Sequence, residues 1–251
     1  MTYINFITVA VGQKYGPDYP NAVYNMVRKH YNGKHKIRFY CVTDHKSGLN
    51  PDINVIRPLS SYKIPGWWNK LYLFTPLMPK GRLVYIDLDV VIVNDISELI
   101  DNYDGPFCGD EDHLHFGAGP FREGKPKYGI PPIDCSLGTA FIMMDSGHGR
   151  HIWTHYLKNQ KMVHEAFNRH GDQVYISWQL DGKFDLLEDI YPLNHGFCSY
   201  RFNILGEKVA GVIRPEVKPW HQWRMINFHG SYKPMELKDK YAWIQAAYAP
   251  L

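Results

Sequence analysis

Residues 82–95 read RLVYIDLDVVIVND, the most apolar run in the chain. A run so rich in Val, Ile and Leu belongs in a core, and it is too short to cross a bilayer, so it reads as a strand buried on both faces. Asp87 and Asp89 nevertheless stand in its middle. An ionised carboxylate in such a place is costly unless something pairs with it. Two of them, two residues apart, require a partner: a cation, a buried Arg or backbone amides.

The bulk properties limit what that partner serves. A chain of 251 residues, 45% hydrophobic and 15% aromatic, can bury a full core as an ordinary globular protein. Cys41, Cys108, Cys135 and Cys198 are scattered without Cys-x-x-Cys spacing. That pattern reads as free buried thiols in a reducing compartment, hence a cytoplasmic protein, rather than a disulfide framework or a zinc site. The opening MTYINFITVAVG has no basic residues before its apolar stretch and reads as a first core strand, not a leader. No run reaches the length of a membrane span. A net charge of +3 is compatible with anionic ligands and does not point to nucleic acid.

Along the chain, strands and helices alternate. Residues 3–10, 36–43 and 53–59 read as strands, and 19–32 reads as a helix with Val23, Met26, Val27 and His30 on one face. GWWNKLYLFTPL (66–77) reads as an amphipathic helix burying Trp67, Leu71 and Phe74, and ISELIDNY as a short helix after the Asp-bearing strand. Residues 110–134, rich in Gly, Pro and charge, read as a long functional loop. A strand over 135–145, a helix over about 149–169 with Ile152, Tyr156, Val163 and Phe167 inward, short β-like pieces and a last helix over 236–248 complete the chain. The simplest architecture is one α/β domain over 1–251, with a mainly parallel mixed sheet and a less regular C-terminal part. Its two halves are residues 1–110 and 111–251.

In such sheets ligands bind beyond the carboxyl ends of the strands, and the period of two sends Asp87 and Asp89 to the same side. Paired hard oxygen donors suit Mn²⁺ or Mg²⁺, which complete their shell with water and substrate phosphates. The alternative is a pair of acids satisfied by buried Arg or backbone amides. Asp-x-Asp after an apolar strand also occurs in phosphatases resembling haloacid dehalogenase, with the first Asp, here Asp87, as nucleophile. Those enzymes carry the strand near the start of the chain and need a Gly-Asp with another Asp close behind it. Here three expected strands come first, and Gly171-Asp172 is followed by Asp181 only.

Together with MINFHGSYKP (225–234), the Asp-x-Asp resembles the nucleotide-sugar glycosyltransferases of the glycogenin and bacterial galactosyltransferase type, which have a GT-A fold. In those proteins a late His-x-x-Gly-x-x-Lys-Pro segment supplies a third metal ligand, a glycine close to the diphosphate and a lysine that neutralises it. Gly230, Lys233 and Pro234 match in spacing, while the ligand position falls on Asn227 and His229 stands two residues later. Imidazole is the stronger donor, so His229 is the expected ligand, with Asn227 the alternative. The resemblance implies transfer of a sugar, with retention, from a nucleotide diphosphate sugar, a UDP-sugar by preference. It places Thr8, Ala10 and Tyr15 near the nucleotide, with Phe39 to Asp44 a weaker candidate, and Lys70 near phosphate. By the same resemblance Asp87 also serves the nucleotide, Asp172 and Gln173 lie beside the transferred sugar as the candidate catalytic residues, residues 1–110 are the nucleotide-binding half, and 111–251 are the acceptor side with the C-terminal metal and diphosphate segment. For Lys70 a solvated lysine, and for Asp172 a helix N-cap, are the bland alternatives. SLGTAFIMMD resembles the family's sugar-pocket strand, except that Ser136 replaces an Asn.

The acceptor is a glycan or lipid-linked saccharide by default, with a hydroxylated nucleic-acid base as the minor option. A non-catalytic sugar-binding protein is the remaining class. His148, His151 and His155 recur at helical spacing without a carboxylate partner and read as a polar helix face. DEDHLH (110–115) faces acceptor or solvent. Trp67, Trp68, Trp220 and Trp223 suit stacking on sugar rings or burial in the core.

Overall fold

The computed structural model describes residues 3–59, 63–112, 121, 123–167, 171–191, 196–207 and 217–249. Strands β1 (Tyr3–Val9), β2 (Lys36–Val42), β3 (Asn54–Ile56) and β4 (Arg82–Ile86) pair in parallel in the order β3-β2-β1-β4. Helix α1 (Asp18–His30) makes the first crossover and buries Val23, Met26 and Val27 against the sheet, with His30 half-buried. The strand expected over 53–59 is only three residues long.

The run over 82–95 is not one strand. β4 stops at Ile86, Asp87 to Asp89 form a turn in which the Val90 amide donates to the Asp87 carbonyl (3.2 Å), and β5 (Val90–Ile92) enters a second sheet. A strand interior offers a carboxylate nothing to bond, whereas a turn at the sheet edge lets both acids leave the apolar layer while Leu88 stays buried.

After α2 (Ser97–Asp101), β6 (Phe107–Glu111) runs into the segment expected to be loop from residue 110, at Asp110 and Glu111. FCGDE lacks an alternating pattern, and its partner makes it a strand: β7 (Leu137–Asp145) runs antiparallel between β4 and β6. Gly109 and Gly138 let the two strands close. A Cβ on Gly109 would lie 2.5 Å from Leu137 Cδ1, and one on Gly138 would lie 2.3 Å from Asp110 Oδ2. A bulge between Gly109 and Glu111 re-aims Asp110. Of the DEDHLH segment, His113, Leu114 and His115 lie outside the described residues, as does the end of the helix expected to reach 169.

Helix α3 (Arg150–Phe167) buries Ile152, Tyr156, Val163 and Phe167 and is interrupted at Asn159. His151 on it is exposed, while His155 is half-buried, its Nδ1 3.0 Å from the Tyr175 hydroxyl. Helix α4 (Gly171–Leu180) falls where only short β-like pieces were expected. Its sequence GDQVYISWQL is buried on most sides, so no helical period shows. Residues Gly66–Phe74 form a 3₁₀ helix with every side chain from Trp68 to Phe74 buried, instead of an amphipathic α-helix. Trp67, expected inward, is 59% exposed.

β8 (Asp185–Leu186) adds to the edge of the first sheet, giving the order β3-β2-β1-β4-β7-β6-β8, with α5 (Leu187–Ile190) following. β9 (Phe197–Ser199) and β10 (Met225–Asn227) join β5 in the second sheet, β5-β10-β9. The last helix is two, α6 (Pro234–Leu237) and α7 (Ala242–Tyr248), separated by a turn. One core lies between the first sheet, α1 and the second sheet; the other lies under the 3₁₀ helix, α3 and α4. All four cysteines are buried and free.

Glu188 on α5 ties down the end of β6. Its Oε2 accepts from the Glu111 amide (2.8 Å), and its buried Oε1 has no hydrogen-bond partner. Burial, with repulsion from Asp110, pushes its carboxyl from 4.5 up to about 8. Folding therefore takes up a proton between those values: the contribution is complete below about 4.5 and is lost as pH rises through 8. Glu188→Gln, which needs no proton, is expected to raise the Tm relative to wild type at pH 8, with the difference closing as pH approaches 4.5. Melting curves across that range check it; a pH-independent difference would contradict the assignment.

Candidate active site

A cavity of about 690 Å³ opens at the carboxyl end of β4, where the turn after Ile86 leaves the sheet. Asp87, Asp89, Lys70, Tyr15, Asp172, Gln173, Asn227, His229, Gly230 and Lys233 all line it. The two sheets bring them together. The Asp87 amide donates to the Ala140 carbonyl of β7 (2.8 Å), and the Phe228 amide donates to the Asp89 carbonyl (2.9 Å), which fixes the end of β10 beside the acid turn.

Each acid of the pair has a lysine. Lys233 Nζ lies 2.7 Å from Asp89 Oδ2, and Lys70 Nζ lies 3.0 Å from Asp87 Oδ2. The Tyr85 hydroxyl donates to the other oxygen of Asp87. Lys70 is 8% exposed and is neither solvated nor a free cation facing the cavity. Its ammonium donates to the Thr139 carbonyl (2.8 Å) and Thr139 Oγ1 (3.0 Å), and it lies 3.3 Å from Asp172 Oδ2. Burial alone would lower its pKa, but Asp172 and Asp87 raise it. Asp172 sits inside the first turn of α4 with its carboxylate on Lys70, so it is not the N-cap. Burial, with Asp87 nearby, raises the pKa of Asp172, and Lys70 opposes this. Burial and the charge of Asp87 likewise raise Asp89, against the pull of Lys233.

His229 Nε2 lies 2.6 Å from Ser199 Oγ, which places β9 in the site through a residue that no motif marked. Gly230 has φ +74°, the left-handed region that a side chain resists, so a glycine here is a backbone requirement. Tyr15 lines both the main cavity and an adjoining hollow of about 220 Å³ that includes Ala10 and Thr43. Thr8 does not reach either space: it is fully buried, and its Oγ1 has no partner. The alternation of β1 turns Thr8 into the core, and Val9 and Val11 line the cavity instead. Ser136 is likewise outside the cavity wall, which β7 supplies with Gly138, Thr139 and Ala140.

The DEDHLH segment, expected to face acceptor or solvent, puts Asp110, Glu111 and Asp112 on the cavity wall at the end of β6. Asp110 is 3% exposed, accepts from the Phe141 amide (2.9 Å) and is pushed by burial up to about 7. The pair of glycines, Gly109 and Gly138, permits its approach.

Among the described residues no three His, Cys, Asp or Glu side chains converge to chelate a metal. A Mg²⁺- or Mn²⁺-type site does not need three, since one or two carboxylates suffice when water and substrate phosphates supply the rest. The charge also fits: among the described residues six acids (Asp87, Asp89, Asp110, Glu111, Asp112, Asp172) and three lysines (Lys14, Lys70, Lys233) line the cavity, Lys70 and Lys233 already ion-paired.

No family model and no curated protein matches the chain. Solved structures do. An active-site mutant of LgtC aligns with a TM-score of 0.65 at 13% identity, over 97% of this chain and 93% of that one. The galactosyltransferase LgtC in complex with donor and acceptor sugar analogs aligns at 0.61 and 14%, over 92% and 88%. The glycosyltransferase GlyE of Streptococcus pneumoniae TIGR4 aligns at 0.61 and 11%, over 100% of this chain and 62% of that one. The fold is the GT-A-like fold of these glycosyltransferases, with one domain and a mixed sheet.

Removing Lys70 leaves Asp87 and Asp172 facing one another without their shared cation. Lys70→Met is expected to lower the unfolding free energy by roughly 3–5 kcal/mol, the usual cost of breaking a buried pair from one side. Urea denaturation measures it. A loss below about 1 kcal/mol, typical of a surface pair, would show that the buried cluster is not a cohesive unit.

Proposed function

We propose that this chain is a glycosyltransferase that moves a sugar from a nucleotide diphosphate sugar, a UDP-sugar by preference, to an acceptor hydroxyl. The observation that carries the reading is the convergence, in one cavity of a GT-A-like fold, of Asp87 and Asp89 with the Gly230–Lys233 segment. These two segments are far apart in the chain, and a purely structural use of the Asp-x-Asp would not require the second one beside it.

Asp87 and Asp89 would hold a divalent cation, Mn²⁺ or Mg²⁺, with His229 as the further ligand and Asn227 as its alternative. When bound, the cation stabilises charge that develops on the departing diphosphate. The chain's own residues supply the rest. Lys233, held beside Asp89, would neutralise the diphosphate, while Gly230 would let the backbone approach it. Tyr15 and the hollow beside Ala10 receive the nucleoside. Gln173 reaches the transferred sugar, and Asp172, held by Lys70, supports the same wall. Retention of configuration follows from the resemblance. The acceptor is a glycan or lipid-linked saccharide.

No helix among the described residues is long and apolar enough to cross a membrane. Four buried free thiols suit a reducing compartment, and we place the enzyme in the cytoplasm.

Thermal shift with UDP, with and without Mn²⁺, tests the reading. Stabilisation by UDP that depends on Mn²⁺ is expected, and Asp89→Asn should remain folded and lose it. Cation-independent stabilisation, or a response retained in Asp89→Asn, would sink the site assignment. Free sugar acting alone would favour a sugar-binding protein.

The choice of further ligand is tested by pH. Protonation competes with metal at an imidazole, so Mn²⁺ affinity measured without nucleotide should fall as pH drops through the ordinary histidine range, about 6.5. His229→Ala should weaken binding and remove the imidazole's share of that profile, leaving the part set by the buried carboxyls of Asp89 and Asp110, while Asn227→Ala keeps the wild-type shape. Wild-type affinity in His229→Ala with loss in Asn227→Ala would transfer the role to Asn227.

A further inference from the structure

Six of the seven tryptophans are used up by the fold. Trp68, Trp153 and Trp223 are buried, and Trp178, Trp220 and Trp243 pack against the two cores. Trp67 is the exception: it is 59% exposed and lines the same cavity as Asp87 and Gln173. A large aromatic held in water at a cavity mouth forgoes burial worth a few kcal/mol, so its placement calls for an occupant.

The indole is positioned rather than loose. It begins the 3₁₀ helix whose next seven residues are all buried, so its backbone is anchored from one side. Its edge lies against the bare backbone of Gly171, where an added Cβ would come 3.1 Å from Trp67 Nε1. Gly171 has φ +70° and opens α4, so the same glycine that lets the chain turn into Asp172 and Gln173 also seats the indole beside them. The exposed indole therefore adjoins the end of the cavity where the proposed sugar is transferred, and Lys14 and Tyr15 belong to the β1 loop.

Charge narrows the occupant. Glu111 and Asp112 line the cavity as well, and of its three lysines, Lys70 and Lys233 are ion-paired with acids while Lys14 lies in the β1 loop over the Tyr15 ring. Among the described residues six carboxylates line the cavity against three lysines, so a phosphodiester backbone would meet net negative charge there. A neutral pyranose suits both features: its C–H face stacks on an indole, and its hydroxyls donate to carboxylate and amide oxygens.

Resting on the glycosyltransferase reading, we infer that Trp67 is the stacking platform for a ring of the acceptor, and that the acceptor is a neutral saccharide. The platform sets acceptor affinity and leaves the nucleotide to the β1 loop and the acid turn.

The test is binding of the full chain, wild type, Trp67→Ala and Trp67→Phe, to an array of neutral and anionic glycans and to a single-stranded DNA oligonucleotide. Expected is binding of the wild type to at least one neutral glycan, weakened about tenfold or more in Trp67→Ala and kept within about threefold in Trp67→Phe, because a phenyl ring preserves the stacking face. The Tm of Trp67→Ala should match wild type, which separates a binding role from a packing one. Wild-type glycan affinity in Trp67→Ala, no neutral glycan bound by wild type, or binding to the oligonucleotide alone would each overturn the platform. The underlying reading fails separately. Trp67-dependent glycan binding without a Mn²⁺-dependent UDP response keeps the platform and removes the transferase, and the reverse pair of results removes only the platform.

Discussion

The rest of the site depends on the burial of Lys70 between Asp87 and Asp172. Its ammonium joins the 3₁₀ helix, the turn after β4, Thr139 of β7 and the first turn of α4 at one point. A lysine removed from water is stable only when opposite charge and hydrogen bonds replace its hydration. Four elements must therefore dock in register before any of them is satisfied, which makes the cluster as much a constraint on the fold as a part of the cavity. The aromatic layer of Trp68, Tyr156 and Tyr175 packs the 3₁₀ helix and α4 together with α3.

Asp89 is governed by the other sheet. The hydrogen bond from Phe228 to Asp89 and the antiparallel pairing of β5 with β10 carry the acid turn to the Asn227–Lys233 segment. The cavity is thus a seam between two sheets, one holding Asp87 with Lys70 and the other holding Asp89 with Lys233. In the proposed function such a seam would receive a diphosphate and its cation: the charges are already gathered, and the lysine-acid pairs keep them tolerable.

Much of this was legible beforehand, and the failures have specific causes. Asp87, Asp89, Gly230 and Lys233 were readable because an acid pair in an apolar run and a Gly-x-x-Lys-Pro segment are local patterns, and the cavity contains all four. The helix Gly171–Leu180 was missed because burial on most sides erases the helical period. The strand Phe107–Glu111 was missed because its FCGDE sequence alternates nothing and is held by β7 alone among long apolar strands. Thr8 was misplaced by one residue of alternation, since a β-strand sends neighbours to opposite faces.

By itself the sequence determined which chemistry the chain could offer: paired carboxylates on the most apolar strand region, free thiols, an aromatic-rich core and an α/β order of elements. Those are properties of residues and near neighbours. Only the tertiary structure decided which lysine meets which acid, across 17 positions for Lys70 and Asp87 and 144 for Lys233 and Asp89. It also decided that of two adjacent tryptophans Trp68 is core and Trp67 faces the cavity. The reason is that a side chain's partner and exposure are set by the segments packed over it, and neither Trp67 nor Lys70 carries in its own neighbourhood any record of Gly171 or Asp172.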